Sequence, residues 1–408
     1  MSTLSRLTIV LALGGCYDGR ALQSDAPVEA DARDRGAVRV KVTGFIEKAG
    51  LRVYFQDRDS TLSLATQTDA NGEVTGRVGP DGFVTLVWGQ DFALSMWTYT
   101  GVQPGDELEF YDPDVVHVPT PMDSLSVFAP DAGEPPFILR SSCGGAHQIF
   151  DALPVAVVVS LCGPRADYML EKGQFYRYER DVDLTASQRR VDFDGELAEY
   201  ALSTVTVTGV TGQFGVVSQA LLGRDFPLVT TTSAASTIDG EVRVNLGLPL
   251  PAGATMLTEI DLEGATTHNI VDWRPAQTSL EVAYGDVTLA DAIEPPRFDA
   301  STHTIAWSEG PGTHGDLVRA TLFWLDSEHA RNRNWTVIGP RGEEAALRLP
   351  MLPQPDLVPV AETPQTMESF LVGDQLGWYR QHLHGRWLPQ GNVWPARGAA
   401  GRIYWQSL

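Results

Sequence analysis

Lysine is almost missing from this chain. Only Lys41, Lys48 and Lys172 are lysines among 30 basic residues, which face 52 acidic ones for a formal charge of −22. Nucleic-acid binding needs clustered Lys and Arg to neutralise phosphates, so that partner class is excluded. Cysteine is nearly as sparse, three in 408 residues, so each one can be accounted for singly. The apolar run from Leu7 to Leu13 is too short to span a bilayer as a helix. Long amphipathic helices are also scarce; "TPQTMESFLV", Thr363 to Val372, is the best short helical candidate. No G-x-S-x-G elbow and no S-x-x-K occurs, and 52 carboxylates single out no acid–base pair. Nothing therefore nominates a catalytic residue, a cofactor or an enzymatic activity. Disorder is not the default either, since 43% of residues are hydrophobic and 20% charged. The length predicts about two to three domains.

What is present begins at the N-terminus. "MSTLSRLTIVLALGGC" holds one basic residue, Arg6, then the apolar run, then small residues, the pattern of a secretory signal. Its end, Leu13-Gly14-Gly15-Cys16, resembles the lipobox of bacterial lipoproteins. The resemblance implies cleavage before Cys16 and acylation of its thiol, each buried CH₂ adding ~0.8 kcal/mol to membrane anchoring. Tyr17 follows where an Asp would signal inner-membrane retention, which favours the outer membrane. The remaining Cys143 and Cys162 form an even pair in an exported chain, the arithmetic of a disulfide. A reactive Cys143–His147 pair is the alternative, without a supporting motif.

Residues 1–15 thus read as a lipoprotein signal and 16–36 as the lipidated cysteine with an acidic tether, polar and without periodicity. Strand signals dominate beyond it. "VRVKV" (38–42), "LRVYF" (51–55), "VTLVW" (84–88), "TVTVTGV" (204–210), "EVRVNLGL" (241–248), "SLEVAY" (279–284), "HTIAW" (303–307), "RATLFWL" (319–325) and "GRIYW" (401–405) are short, β-branched and separated by turn residues. The pattern predicts an all-β chain of tandem antiparallel sandwiches. Pro-rich "DAGEPPF" (131–137) and "DAIEPPRF" (291–298) place domains at 37–135, 136–292 and 293–408. No repeat of fixed period stands out.

The stretch "GLRVYFQDRDSTLSLATQTDANGEVTGRVGPDGFVTLVW" carries a V-x-F strand, a T-D-x-x-G turn and a G-x-V-T strand, through Val53, Phe55, Thr68, Asp69, Gly72, Gly82, Val84 and Thr85. In these it resembles carboxypeptidase regulatory-like and bacterial Ig-like domains. That implies a transthyretin- or Ig-like sandwich over about residues 37 to 110 and no catalytic residues. The whole arrangement is similar to exported bacterial lipoproteins.

Three motifs test sharper readings. Asp69-Ala70-Asn71-Gly72-Glu73 starts like a calcium loop, but its glycine comes too early. Asp57 and Asp59 lie beyond a six-residue strand, ~20 Å away. Asn-Gly turn chemistry, with Asp69 bonding the backbone two residues on, explains the stretch without an ion. "GPGTHG" (310–315) matches a dinucleotide fingerprint in form, but the segment after it reads as a strand, and Pro311 suits a hairpin. His382 and His384 lack a further zinc ligand. Of ten tryptophans, eight lie from Trp273 onward. Trp307, Trp324 and Trp405 sit in apolar strands and read as core. Trp378, Trp387 and Trp394, in Gly/Pro-rich context, are the candidates for a glycan or peptidoglycan contact. The expectation is an exported structural or binding module lipid-anchored to the cell envelope, with a membrane anchor and a protein or glycan partner. An exported hydrolase is the competing reading.

Overall fold

The computed structural model describes residues 35–43, 48–90, 93–111, 122–161, 163–186, 189–210, 214–222, 227–263, 267–284, 289–290, 292–326, 331–341, 345–353, 357, 359, 365–371 and 401–407. Among them run 29 strands and no α-helix. The chain is an all-β protein of β-sandwiches.

The first sandwich shows how alternation becomes architecture. Its strands are β1 (Gly36–Thr43), β2 (Arg52–Gln56), β3 (Leu62–Gln67), β4 (Glu73–Val78), β5 (Gly82–Gln90), β6 (Ala93–Val102) and β7 (Glu107–Tyr111). Every second residue of β1 turns inward, leaving Val38, Val40 and Val42 fully buried. Each such valine contributes ~1.5–3 kcal/mol of apolar burial. β1 pairs antiparallel with β4 and parallel with β7. This three-stranded layer covers the row β3-β2-β5-β6, whose Val53, Phe55, Val84 and Leu86 complete the core.

The same strand order returns twice. The second sandwich comprises β8 (Met122–Phe128), β9 (Phe137–Ser141), β10 (Ala146–Ile149), β11 (Val155–Ser160), β12 (Arg165–Lys172), β13 (Phe175–Asp183) and β14 (Arg190–Asp192), with β15 (Ala198–Glu199) added beside β13. Its layers are β11-β8-β14 and β10-β9-β12-β13. The third comprises β16 (Ala201–Thr208), β17 (Phe214–Leu222), β18 (Pro227–Ser236), β19 (Glu241–Leu248), β20 (Thr255–Glu263), β21 (Thr267–Pro275) and β22 (Ser279–Ala283). Its layers are β19-β16-β22 and β18-β17-β20-β21. Numbering strands within each unit, all three read 4-1-7 over 3-2-5-6, with strand 7 parallel to strand 1. The stretch 136–292, expected as one β-rich domain, carries strands of two such units. "DAGEPPF" crosses between layers of the second sandwich.

The fourth unit differs. It comprises β23 (Ala292–Asp299), β24 (Thr304–Glu309), β25 (Leu317–Asp326), β26 (Arg331–Pro340), β27 (Ala346–Arg348), β28 (Gln365–Leu371) and β29 (Gly401–Ser407). Its layers, β23-β24-β27 and β29-β28-β25-β26, are those of an Ig-type sandwich with a fourth strand on the GFC sheet. Two expectations are corrected here. "TPQTMESFLV" holds a strand, not a helix, because β28 bonds β25 on one side and β29 on the other. "DAIEPPRF", expected to open the C-terminal region, holds the strand that opens this unit, and both of its prolines are absorbed by one register shift, between Glu294 and Arg297. "GPGTHG" joins strands of opposing layers, so it is no hairpin.

The sandwiches are not beads on a string. β6 pairs parallel with β26, and β21 pairs antiparallel with β29. The first, fourth and third units thereby share one 12-stranded sheet, β18-β17-β20-β21-β29-β28-β25-β26-β6-β5-β2-β3. Their cores merge as well. Tyr54, Val87 and Met96 of the first unit join the fourth unit's cluster around Trp335, Trp324 and Ile305. Leu257, Val271 and Trp273 of the third join the first unit's cluster. A buried relay crosses the β6–β26 seam, where Trp335 Nε1 donates to Thr98 Oγ1 at 2.8 Å and Thr98 bonds Thr85 at 2.8 Å.

Candidate functional site

Asp69 is a turn former. Its Oδ1 accepts the backbone N–H of Asn71 at 2.8 Å and of Glu73 at 2.9 Å, while Gly72 takes the left-handed φ of 79°. Those backbone donors hold its carboxyl below the usual range. Asp57 is engaged elsewhere, accepting from Gly79 N at 2.7 Å and Arg35 Nε at 2.7 Å. Among the described residues no group of three or more His, Cys, Asp or Glu side chains converges as a metal cage.

The "GPGTHG" loop is pinned by Glu309. That buried carboxylate accepts from Trp307 Nε1 at 2.6 Å and Arg341 Nη2 at 2.8 Å, and His314 Nδ1 lies 2.5 Å away. Burial pushes its pKa up, but the bonds from Arg341 and Trp307 and the charge of Arg341 outweigh it, leaving it lowered. Of the loop itself His314 meets this anchor, while the Thr313 carbonyl accepts from Ala290 N at 2.9 Å. Trp307 and Trp324, expected as core, are 7% and 8% exposed. Cys143 is buried, at 5% exposure. Cys16, Cys162, Trp378, Trp387, Trp394, His382 and His384 lie outside the described residues, as does the side chain of Trp405.

Two ionic networks brace the junctions. Asp272, with no exposed side-chain surface, is gripped by Arg274 of its own strand and by Arg402 of β29 at 2.7 Å. Glu171 accepts from Arg140 Nε at 2.6 Å and from Tyr200, just before β16. Around it Met169 and Tyr176 of the second unit pack on Leu221 and Leu228 of the third.

One set of acids has no such partner. Glu259, Asp261 and Glu263 are alternate residues of β20 and share one face, ~6.6 Å apart along the strand. Across the ladder stand Ser218 and Val216 on β17 and Val271, Asn269 and Thr267 on β21, none of them cationic. None of the three carboxylates has a hydrogen-bond or ion-pair partner among the described residues. Burial, then the charge of Asp261, pushes Glu259 up; burial, then Glu263, pushes Asp261 up. Asn269, opposite Asp261, is 4% exposed and its Nδ2 has no acceptor among the described residues. Sequence reasoning passed over this column because "TEIDLE" has the acid–apolar alternation of any solvated strand.

No protein-family model and no curated protein sequence matches the chain. Among solved structures, the Bacillus anthracis TIE protein aligns over 61% of this chain at 9% identity and a TM-score of 0.15, and the chain spans about half, 49%, of that protein's length. The chicken CNTN1 FN1-FN3 domains align over 72% of this chain and 90% of theirs, at 8% identity and a TM-score of 0.14. A Bacteroides ovatus protein provisionally classed as an adhesin aligns over 59% of this chain and 72% of its own, at 11% identity and a TM-score of 0.12. Scores this low carry no argument, and the fold stands on the strand pairing above.

Proposed function

We propose that the protein is a structural or binding module held at the cell envelope by a lipid on Cys16. The observation that carries the module reading is the shared sheet of 12 strands. Three sandwiches locked by two seams and merged cores make a stiff platform. A binding module needs a rigid scaffold under its contact surface. The polar, acidic stretch 17–34 supplies the reach between lipid and platform, since Arg35 and Gly36, expected as its end, belong to the first sandwich. Tyr17, standing where an Asp would signal inner-membrane retention, favours the outer membrane.

Fractionation tests the anchor. The full chain should sediment with membranes and Cys16→Ser should appear in the soluble fraction; a membrane-bound Cys16→Ser chain would sink the lipid assignment. A bridge from Cys143 to Cys162 belongs to the same exported reading, and the burial of Cys143 supports it. Mass spectrometry without reductant should find the linked peptides, and two alkylatable thiols would refute it. The glycan variant of the module rests on Trp378, Trp387 and Trp394 in the segment between β28 and β29. Replacing the three by alanine should then abolish retention on purified peptidoglycan.

A further inference from the structure

From the unpaired column on β20 we infer an interaction site: Glu259, Asp261 and Glu263, with Asn269 beside them, form a docking strip for an extended, arginine- or lysine-rich segment of a partner protein. The inference names the partner of the binding module proposed above and rests on that reading.

Like charges stacked on one strand repel, and a protein that keeps them half-buried without a counter-charge has left the complement to be supplied from outside. Other acids that lie buried or half-buried show the contrast. Asp57, Glu171, Asp272 and Glu309 each hold an arginine of this same chain, and the fully buried Asp167 accepts from Tyr178 and from the backbone of Asp181. No basic residue stands at the register positions flanking the column on β17 or β21. Asn269 is the independent sign of a ligand. Its amide is buried, lies on the face of Asp261, and offers a donor that no described residue accepts. A backbone carbonyl of an extended peptide is the acceptor such a donor requires.

The spacing sets the ligand's pattern. Carboxylates at every second residue of a strand repeat every ~6.6 Å, the repeat of alternate side chains on an extended peptide. Cations at positions i, i+2 and i+4 therefore meet all three acids, whereas three consecutive cations place one on the far side. Burial falls along the column, Glu259 and Asp261 being half-buried and Glu263 exposed, so the strip opens toward the Glu263 end.

The test titrates the purified full chain with two synthetic peptides of equal composition, one with arginine alternating with threonine and one with its arginines contiguous. The alternating peptide should bind saturably, roughly tenfold tighter than its isomer, and weaken as salt rises. Glu259→Gln/Asp261→Asn should cost it tenfold or more, while Glu134→Gln/Asp151→Asn, which removes equal charge from exposed positions of the second sandwich, should leave it unchanged. If the double amide variant fails to fold, Glu263→Gln at the exposed end is the substitute and should cost several-fold. Equal affinity for both peptides, an unaffected ladder variant, or no saturable binding at millimolar peptide would each overturn the site. Neutral oligosaccharide binding abolished by Asp261→Asn would overturn it in favour of a glycan. The anchor is decided separately, since fractionation of Cys16→Ser does not depend on the strip.

Discussion

At Gly339 a missing side chain lets two sandwiches meet. A Cβ there would lie 1.9 Å from Thr100 Oγ1 across the β6–β26 seam and 3.0 Å from Leu347 Cδ1. Gly339→Ala should therefore cost ~1–3 kcal/mol by overpacking, and Thr100→Ala in the same chain should recover part of it. Denaturant titration of the four chains checks this, and simple additivity would show that the contact is not the cause. The acidic column makes a second residue-scale prediction through its sign. Glu259 and Asp261 have raised folded pKa values. Their contribution to stability is thus fully present below the unfolded value and is lost as pH rises through the folded one. Glu259→Gln should raise the melting temperature at neutral pH, and the gain should vanish in mildly acidic buffer; a gain that ignores pH would refute the account. Asp69 and Glu259 also mark what one residue's sequence context discloses. The turn role of Asp69 is legible because its partners are two and four residues away. The isolation of Glu259 is not, because it depends on which uncharged residues β17 and β21 bring alongside.

Strands show the same division between local and distant causes. β19 alternates buried and open residues along its whole length, and its sequence reads as a strand unaided. In "TPQTMESFLV" the apolar positions Met367, Phe370 and Leu371 fall three and four apart, the helical spacing, and ladders on both sides override it. What holds β29 in that ladder is partly ionic. Asp272 is fully buried and paired with Arg274 and Arg402. Arg402→Met keeps the apolar stem and removes the cation, leaving a buried carboxylate half-compensated at a cost of ~1–3 kcal/mol. The damage should concentrate at the seam, so hydrogen exchange in β21 and β29 should accelerate more than in β16 or β19. Uniform acceleration would mean that the triad supports global stability and not this junction.

At the scale of the molecule, three units share one strand order and the sequence gives little sign of it. A sandwich demands only alternating burial and permissive turns, so the same 4-1-7 over 3-2-5-6 order arises from unlike residues. Fusion is still harder to read, since β6 and β26 are more than 200 residues apart and pair in parallel. Its consequence is testable. Removing residues 292–408 would bare β6 and β21, two long internal strands, and uncover Tyr54, Val87 and Met96, which the fourth unit's core now covers. Unpaired apolar edges seek other strands. The truncated chain should therefore self-associate, eluting from size exclusion well above its monomer volume, while the full chain stays at its own. The same fusion predicts that the first, third and fourth units melt in one calorimetric transition, because none can lose its sheet without breaking a neighbour's. A truncated chain that stays monomeric and keeps its strand content would show that the first and third sandwiches close without the fourth. The fourth would then be an attachment rather than the keystone of the sheet.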